Sequence, residues 1–314
     1  MLENKTVLVT GGTGSFGHFI IPKLLERGVK EIRVFSRDEE KQLDMGREFT
    51  DERLKFIIGN IRDYDRLHEA TKGIQILYHA AALKIITFCE RNPLEALKTN
   101  VLGSWNVKNA SIASGIEKAI FISTDKAVKP VNLYGMTKAV GEKIWINDEF
   151  KDETEFAVLR YGNIIGSRGS VIPFFKKLVE EGKPLPITHP KMTRFLITPD
   201  QAAKLVFKTT ELRMDKKIYV PILPACQVSD LAIVIAGEDY PTKIVGIRPG
   251  EKIHECLIQE DELRRAERVE DGYIIHPYGE YSSGIEMGEL NSNNITAQMS
   301  RAEIAQLLEE GDSL

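Results

Sequence analysis

Thr124, Asp125 and Lys126 stand together at the end of a β-branched apolar run, and ten residues after the threonine Tyr134 opens the sequence YGMTK, which closes on Lys138. With four positions between them, Tyr134 and Lys138 leave one face of a helix, where the ammonium can favour the ionised phenol. A free phenol ionises near pH about 10. It acts as a base at neutrality only if a neighbouring lysine and a positively charged ring stabilise the phenolate. A Y-x-x-x-K pair alone is common by chance; here it follows a strand-end threonine, where a ligand in the crevice at the carboxyl ends of parallel strands would lie. Asp125 and Lys126 are adjacent titratable groups and must behave as a coupled pair. Without context, a loop ion pair with a helix-capping role describes them equally well.

The elements that must hold these residues follow from the pattern around them. Short β-branched runs at 6–10, 31–35, 54–58, 74–79, 117–124 and 155–161 alternate with stretches of helical apolar spacing such as 16–25 and 93–113. Such alternation implies right-handed crossovers, hence an α/β fold with a doubly wound parallel sheet of the Rossmann type. After Gly162 a series of prolines breaks the rhythm. We divide the chain into a cofactor-binding domain over 1–165 and a smaller C-terminal substrate-binding lobe over 166–314, with 216–221 as a strand returning to the main sheet. Ser300 and Glu303 form a capping-box signature for a terminal helix, and the polar stretch 281–295 reads as a loop.

The first strand runs into TGGTGSFG at 10–17. Gly11, Gly14 and Gly17 permit a tight turn, close approach of the backbone to a pyrophosphate, and close helix–sheet packing. Thr13, Ser15 and Phe16 lie in the same loop, ahead of a helix amino terminus that favours anions. At the end of the second strand come Ser36, Arg37 and Lys41, where an NAD enzyme usually carries an acid; the cations suit a 2'-phosphate, so the expected cofactor is NADP. A solvated charge run is the alternative, and Asp38 remains within reach of a ribose.

The 314 residues carry a formal net charge of −4 with both signs interspersed, which argues against nucleic acid or anionic lipid as partners. Cys89, Cys226 and Cys256 form no C-x-x-C pair and no metal-ligand pattern, so no metal is expected and a reducing cytoplasm fits. No apolar run approaches the roughly 20 residues of a membrane span, and no leader pattern precedes the first strand. His79 reads as the end of a buried strand, without chemistry.

With these residues in place, the chain resembles the extended short-chain dehydrogenases, and more closely the UDP-N-acetylglucosamine 4,6-dehydratases that invert C5. The resemblance rests on TGGTGSFG, FSRDEEKQ at 35–42, HAAALK at 79–84, NPLEALKTN at 92–100, STDKAVKPVNLYGMTK at 123–138, RYGNIIGSRGSVIPFF at 160–175, MTRF at 192–195 and GIRPGEKIHE at 246–255. It implies oxidation of a UDP-HexNAc such as UDP-N-acetylglucosamine at C4, loss of water across C5–C6, and return of hydride to C6. In that scheme Tyr134 takes the C4 hydroxyl proton, Thr124 holds that oxygen and Lys138 orients the ribose. Asp125 protonates the departing C6 hydroxyl while Lys126 removes the C5 proton. The same resemblance places Asn60, Ile61, Ala80 and Ala82 beside the cofactor. Lys84 would stand between cofactor and sugar, although Ile85-Ile86-Thr87 departs from the usual valine-proline pattern. Asn163 and the turn carrying Val171 would wall the uracil and phosphates, with Thr188, Arg194, Arg248 and Glu251 holding the diphosphate and ribose. Relatives of this kind form homo-oligomers. Two other readings stay open: a UDP-sugar 4-epimerase, which shares Thr124, Tyr134 and Lys138 but eliminates nothing, and a non-catalytic NADP-binding regulator, which would ordinarily lose the tyrosine or its lysine.

Overall fold

The six apolar runs become six parallel strands: β1 (Thr6–Thr10), β2 (Glu31–Ser36), β3 (Leu54–Ile58), β4 (Ile76–His79), β5 (Lys118–Thr124) and β6 (Glu155–Tyr161). The computed structural model describes residues 1–147, 153–167, 169–277, 288–294 and 298–312. β1, β4 and β5 are buried along their whole length, as expected of strands covered by helices on both faces. Their order is β3-β2-β1-β4-β5-β6, so the winding direction reverses between β1 and β4 and opens a crevice at the strands' carboxyl ends.

Seven helices alternate with these strands: α1 (Ser15–Glu26), α2 (Glu39–Glu48), α3 (Tyr64–Thr71), α4 (Ile86–Arg91), α5 (Pro93–Ala96), α6 (Gly103–Ala113) and α7 (Leu133–Ile146). The helix expected over 93–113 is α5, a π-helical stretch over Leu97–Leu102, and α6. That local widening carries Asn100 inward, leaving it 1% exposed. α7 starts where it does because the Asn132 side chain accepts from Gly135 N at 2.8 Å.

Beyond residue 162 the chain adds β7 (Asn163–Ile164), β8 (Leu185–Ile187), β9 (Thr193–Ile197), β10 (Lys217–Pro221), β11 (Ala225–Gln227), β12 (Thr242–Ile244), β13 (Cys256–Ile258), β14 (Ala266–Val269), β15 (Gly272–Ile275) and β16 (Leu290–Asn291), with α8 (Val171–Glu180), α9 (Pro199–Glu211), α10 (Val228–Ala236), α11 (Glu260–Leu263) and α12 (Arg301–Asp312). β10 lies parallel to β6, and β15 and β14 follow antiparallel, completing nine strands. β10 stands where a strand over 216–221 was expected to return to the main sheet, covering the edge that β6 would otherwise leave unpaired. The second lobe has its own apolar cluster of Ile165, Ile172, Leu196, Leu231, Ile304 and Leu307. Ser300 N donates to the Glu303 carboxylate at 2.7 Å at the start of α12. Of the polar stretch 281–295, residues 281–287 and 295 lie outside the described residues; β16 occupies part of the remainder.

A buried arginine ties the lobes together. Arg160 on β6 donates to Glu142 of α7 at 3.0 and 2.6 Å, to Glu262 of α11 at 2.9 and 2.8 Å, and to the Leu257 carbonyl at 2.7 Å.

Candidate active site

The glycine loop packs against the chain leaving β4. Gly11 has φ +68°, and a Cβ there would lie 2.7 Å from Ala81 Cα; at Gly17 it would meet the Gly12 carbonyl oxygen at 1.5 Å. Only glycine fits either position. In front of this loop lies a cavity of about 540 Å³, walled by Gly11, Thr13, Gly14 and Ser15, by Ser36, Arg37 and Lys41 after β2, by Asn60 and Ile61 after β3, and by Ala82 and Lys84 after β4. Asp38, offered above as a ribose contact, also lines it, as do Phe35 and Thr99, which the sequence left unassigned. Gly17 and Phe16 are buried behind the loop, and Ala80, Tyr134 and Lys138 lie off this wall. The cavity fits a dinucleotide: the α1 amino terminus has no side-chain cap and leaves its N–H groups for an anion.

On the ribose side, Ser36 Oγ accepts from Gln42 at 3.0 Å. Lys41 pairs with Asp38, which also caps α2. Arg37 is exposed and makes no ion pair among the described residues.

The reactive residues gather where β5 ends. Thr124 passes directly into the short turn Asp125–Ala127, and α7 packs so tightly on it that a Cβ at Gly135 would lie 2.2 Å from the Lys126 carbonyl oxygen. This brings Tyr134 beside Thr124 and Asp125. Asp125 is 0% exposed; its Oδ1 accepts from Thr124 Oγ1 and from Lys126 Nζ, each at 2.9 Å, and its buried Oδ2 has no partner. Burial, with Asp125 and Cys89 adding to it, holds the Tyr134 phenol well above its ordinary range, and Thr124 opposes them.

Lys138 is buried one helical turn beyond Tyr134. Its Nζ donates to the Ile122 carbonyl and stands 3.7 Å from the Phe121 ring centre. Burial lowers this lysine to about 7 against the pull of Glu142. A buried ammonium takes the nearest acceptor, and here that is strand backbone.

Lys126 is surrounded by acceptors: Asp125, the Asn163 Oδ1 at 3.3 Å, and Glu255 Oε1 at 3.8 Å. Burial disfavours its charge, but Asp125 and Glu255 outweigh burial and raise it above the ordinary lysine value. Glu255 and Asn100 were missed from sequence. Asn100 grips Leu83 through its N–H at 2.8 Å and its carbonyl at 2.9 Å, and donates to Thr137 on α7 at 3.0 Å, so it joins the loop after β4 to the helix bearing Tyr134. Both residues close quoted motif stretches, which was the only signal available.

In the second lobe, Asn132 donates to the Gly250 carbonyl at 2.7 Å, tying the turn of Arg248 and Glu251 to the start of α7. Those two side chains pair with one another, the arginine largely exposed. Asn163 lies beside the Asp125–Ala127 turn, within 3.3 Å of Lys126 Nζ. Val171 begins α8, and Thr188 is buried just after β8. Arg194, expected at the diphosphate, donates to the carbonyls of Thr193, Ile253 and Lys252 at 2.7, 3.1 and 3.0 Å and so braces the 252–253 backbone. Among the described residues no cluster of metal ligands occurs.

Comparison with known proteins places this geometry. The profile described as polysaccharide biosynthesis protein matches residues 7–277. The UDP-N-acetylglucosamine 4,6-dehydratase (inverting) of Campylobacter jejuni is 43% identical over 282 residues, 88% of this chain and 84% of that one. A protein of Rickettsia canadensis named UDP-glucose 4-epimerase is 42% identical over 285 residues, again 88% and 84%. The X-ray structure of Pen from Bacillus thuringiensis superposes with a TM-score of 0.90 at 34% identity, covering 98% of this chain and 99% of that one.

Proposed function

The chain belongs to the polysaccharide biosynthesis protein family, among the NAD(P)-dependent extended short-chain dehydrogenase enzymes, and we propose that it is an NADP-dependent UDP-N-acetylglucosamine 4,6-dehydratase that inverts C5. The observation that carries the reading is the pair Asp125–Lys126: a fully buried carboxyl with an unpartnered oxygen, one residue from the strand-end threonine and hydrogen-bonded to a second lysine. An enzyme that only oxidises and reduces C4 has no use for a second acid and a second base.

A dinucleotide held by the glycine loop at Gly11, Thr13, Gly14 and Ser15 and by Ser36, Arg37 and Lys41 would supply the hydride acceptor for C4 and the hydride donor for C6. Tyr134 takes the C4 hydroxyl proton while Thr124 holds the oxygen. The C4 ketone acidifies the C5 hydrogen, which Lys126 removes as Asp125 protonates the departing C6 hydroxyl. Asn163, expected at the uracil and phosphate wall, stands beside Lys126 and so faces the sugar in this reading, and Arg248 and Glu251 exchange their mutual contact for the diphosphate and ribose. Thr188 and the turn at Val171 wall the nucleotide, and Lys84 stands between sugar and cofactor. Arg37, free of ion pairs among the described residues, meets the 2'-phosphate of NADP. Arg37→Ala should weaken NADP about tenfold or more without changing NAD, and equal weakening of both would remove the NADP assignment.

Exposed Leu94, Leu97, Leu102 and Trp105, with Met136 and Val140 on α7, support a homo-oligomer, which sedimentation equilibrium checks; a subunit mass at micromolar concentration would refute it. Three buried free thiols suit the reducing cytoplasm as its compartment. The 4-epimerase reading draws on the rickettsial relatives' names. Mass spectrometry of the product from UDP-N-acetylglucosamine separates the two: the dehydratase releases a keto sugar lighter by one water, and a product of unchanged mass makes the enzyme an epimerase.

A further inference from the structure

Glu255 is carried into the site from the second lobe by a backbone fixed on both sides. Arg194 holds the carbonyls of Lys252 and Ile253, Thr193 N donates to the Ile253 carbonyl at 3.0 Å, and Thr193 Oγ1 meets His254 Nδ1 at 2.8 Å. On the other side Glu255 N donates to Ser292 Oγ at 2.9 Å and Ser292 N to the Glu255 carbonyl at 2.8 Å. The carboxylate at the end of this scaffold is only 4% exposed. Burying it costs several kcal/mol unless cations answer it, and two stand near: Lys252 Nζ 3.0 Å from Oε2, and Lys126 Nζ 3.8 Å from Oε1.

A purely structural role predicts a saturated pair with Lys252. The geometry differs, since Lys252 divides itself between the Val128 carbonyl at 2.8 Å and Oε2 at 3.0 Å and reaches only one of the two carboxylate oxygens. The other oxygen faces Lys126. Resting on the dehydratase reading above, we propose that Glu255 is a positioning residue for the base: it holds Lys126 Nζ between Asn163 and Asp125 and stabilises the positive charge that Nζ acquires during elimination. The step follows transfer of a proton from Lys126 Nζ to Asp125 Oδ1 along their 2.9 Å hydrogen bond: the neutral Lys126 amine then takes the C5 proton, the C–H electron pair becomes the C5–C6 π bond, and the C6–O bond breaks with its electrons. The departing oxygen receives the Asp125 proton and leaves as water. Lys126 gains a positive charge as Asp125 becomes negative, and a fixed carboxylate beside the nascent ammonium acts in the transition state without reorganising. The charged groups facing Lys126 are Asp125 on its own turn, Glu255 with Lys252 behind it, and Arg194 from β9, which opposes the two carboxylates.

The test uses full-length Glu255→Gln with NADP and UDP-N-acetylglucosamine. Water release should slow about 10²-fold with KM unchanged, while C4 oxidation, followed in a single turnover by reduced-cofactor absorbance, keeps its wild-type rate, so reduced cofactor accumulates. The pH above which C5 hydrogen exchanges with deuterated water should move lower, because Lys126 loses a carboxylate that favours its charge. Glu255→Asp should recover part of the rate, and it carries the same readouts if the glutamine variant does not fold. Unchanged water release with an unmoved pH limb, or an equal slowing of oxidation and elimination, overturns the proposal. Failure of the dehydratase reading is distinguishable, since the wild-type enzyme would then release no water.

Discussion

Two buried ionic clusters join the parallel sheet to the second lobe, and they are built to different standards. Around Arg160 the guanidinium meets two carboxylates and a carbonyl through five hydrogen bonds of 2.6 to 3.0 Å. Around Lys126 the contacts run from 2.9 to 3.8 Å, Asp125 Oδ2 lacks a hydrogen-bond partner, and Glu255 Oε2 has Lys252 at 3.0 Å. A saturated network fixes a structure and has nothing left to offer a ligand. An unsaturated one leaves buried polar atoms that cost stability until a substrate answers them. On the proposed function, the difference separates a cluster that locks the lobes from one that performs chemistry.

That contrast breaks most sharply at Asp125. Asp125→Asn should cut water release about 10²–10⁴-fold while changing unfolding free energy by no more than about 1 kcal/mol; urea unfolding beside the product assay reads both, and a large loss of stability would make the cluster structural. Arg160→Met strands the Glu142 and Glu262 carboxylates, and the same urea titration should show a loss of about 3–5 kcal/mol. A loss below about 1 kcal/mol would erase the distinction between the clusters.

The smallest expected effect lies at Lys138, next to Glu142 but outside both clusters. Its folded value falls to about 7, whereas the unfolded chain holds this proton up to about 10.4. Between those values the unfolded state binds more protons, so this lysine makes stability rise with pH across that window. In Lys138→Met the gain in unfolding free energy between pH 7 and pH 9 should be smaller than in the wild type; identical slopes would mean the lysine keeps its charge in the fold.

The sheet was legible because its inner strands are buried on both faces and read as unbroken β-branched runs. β14 and β15 were not, because they pair antiparallel at an edge whose existence depends on β10 returning to β6. Within the site, Thr124, Asp125, Lys126, Tyr134 and Lys138 declare themselves by close spacing along one turn and one helix. Glu255 reaches Lys126 from a distant part of the chain, and only the brace of Arg194, Thr193 and Ser292 shows why it arrives. Arg194 illustrates the limit: a guanidinium suits phosphate and carbonyl oxygens alike, and residue type cannot choose between them. The orientation of Lys138 is likewise set by the Ile122 carbonyl and the Phe121 ring, neither of which its helical spacing from Tyr134 encodes.

The central claim is elimination across C5–C6, and NMR of the product made from UDP-N-acetylglucosamine in deuterated water tests it directly. The account predicts a 4-keto-6-deoxy sugar bearing deuterium at C5, with the C5 configuration inverted. A product that keeps its C6 hydroxyl and carries no deuterium at C5 would contradict it.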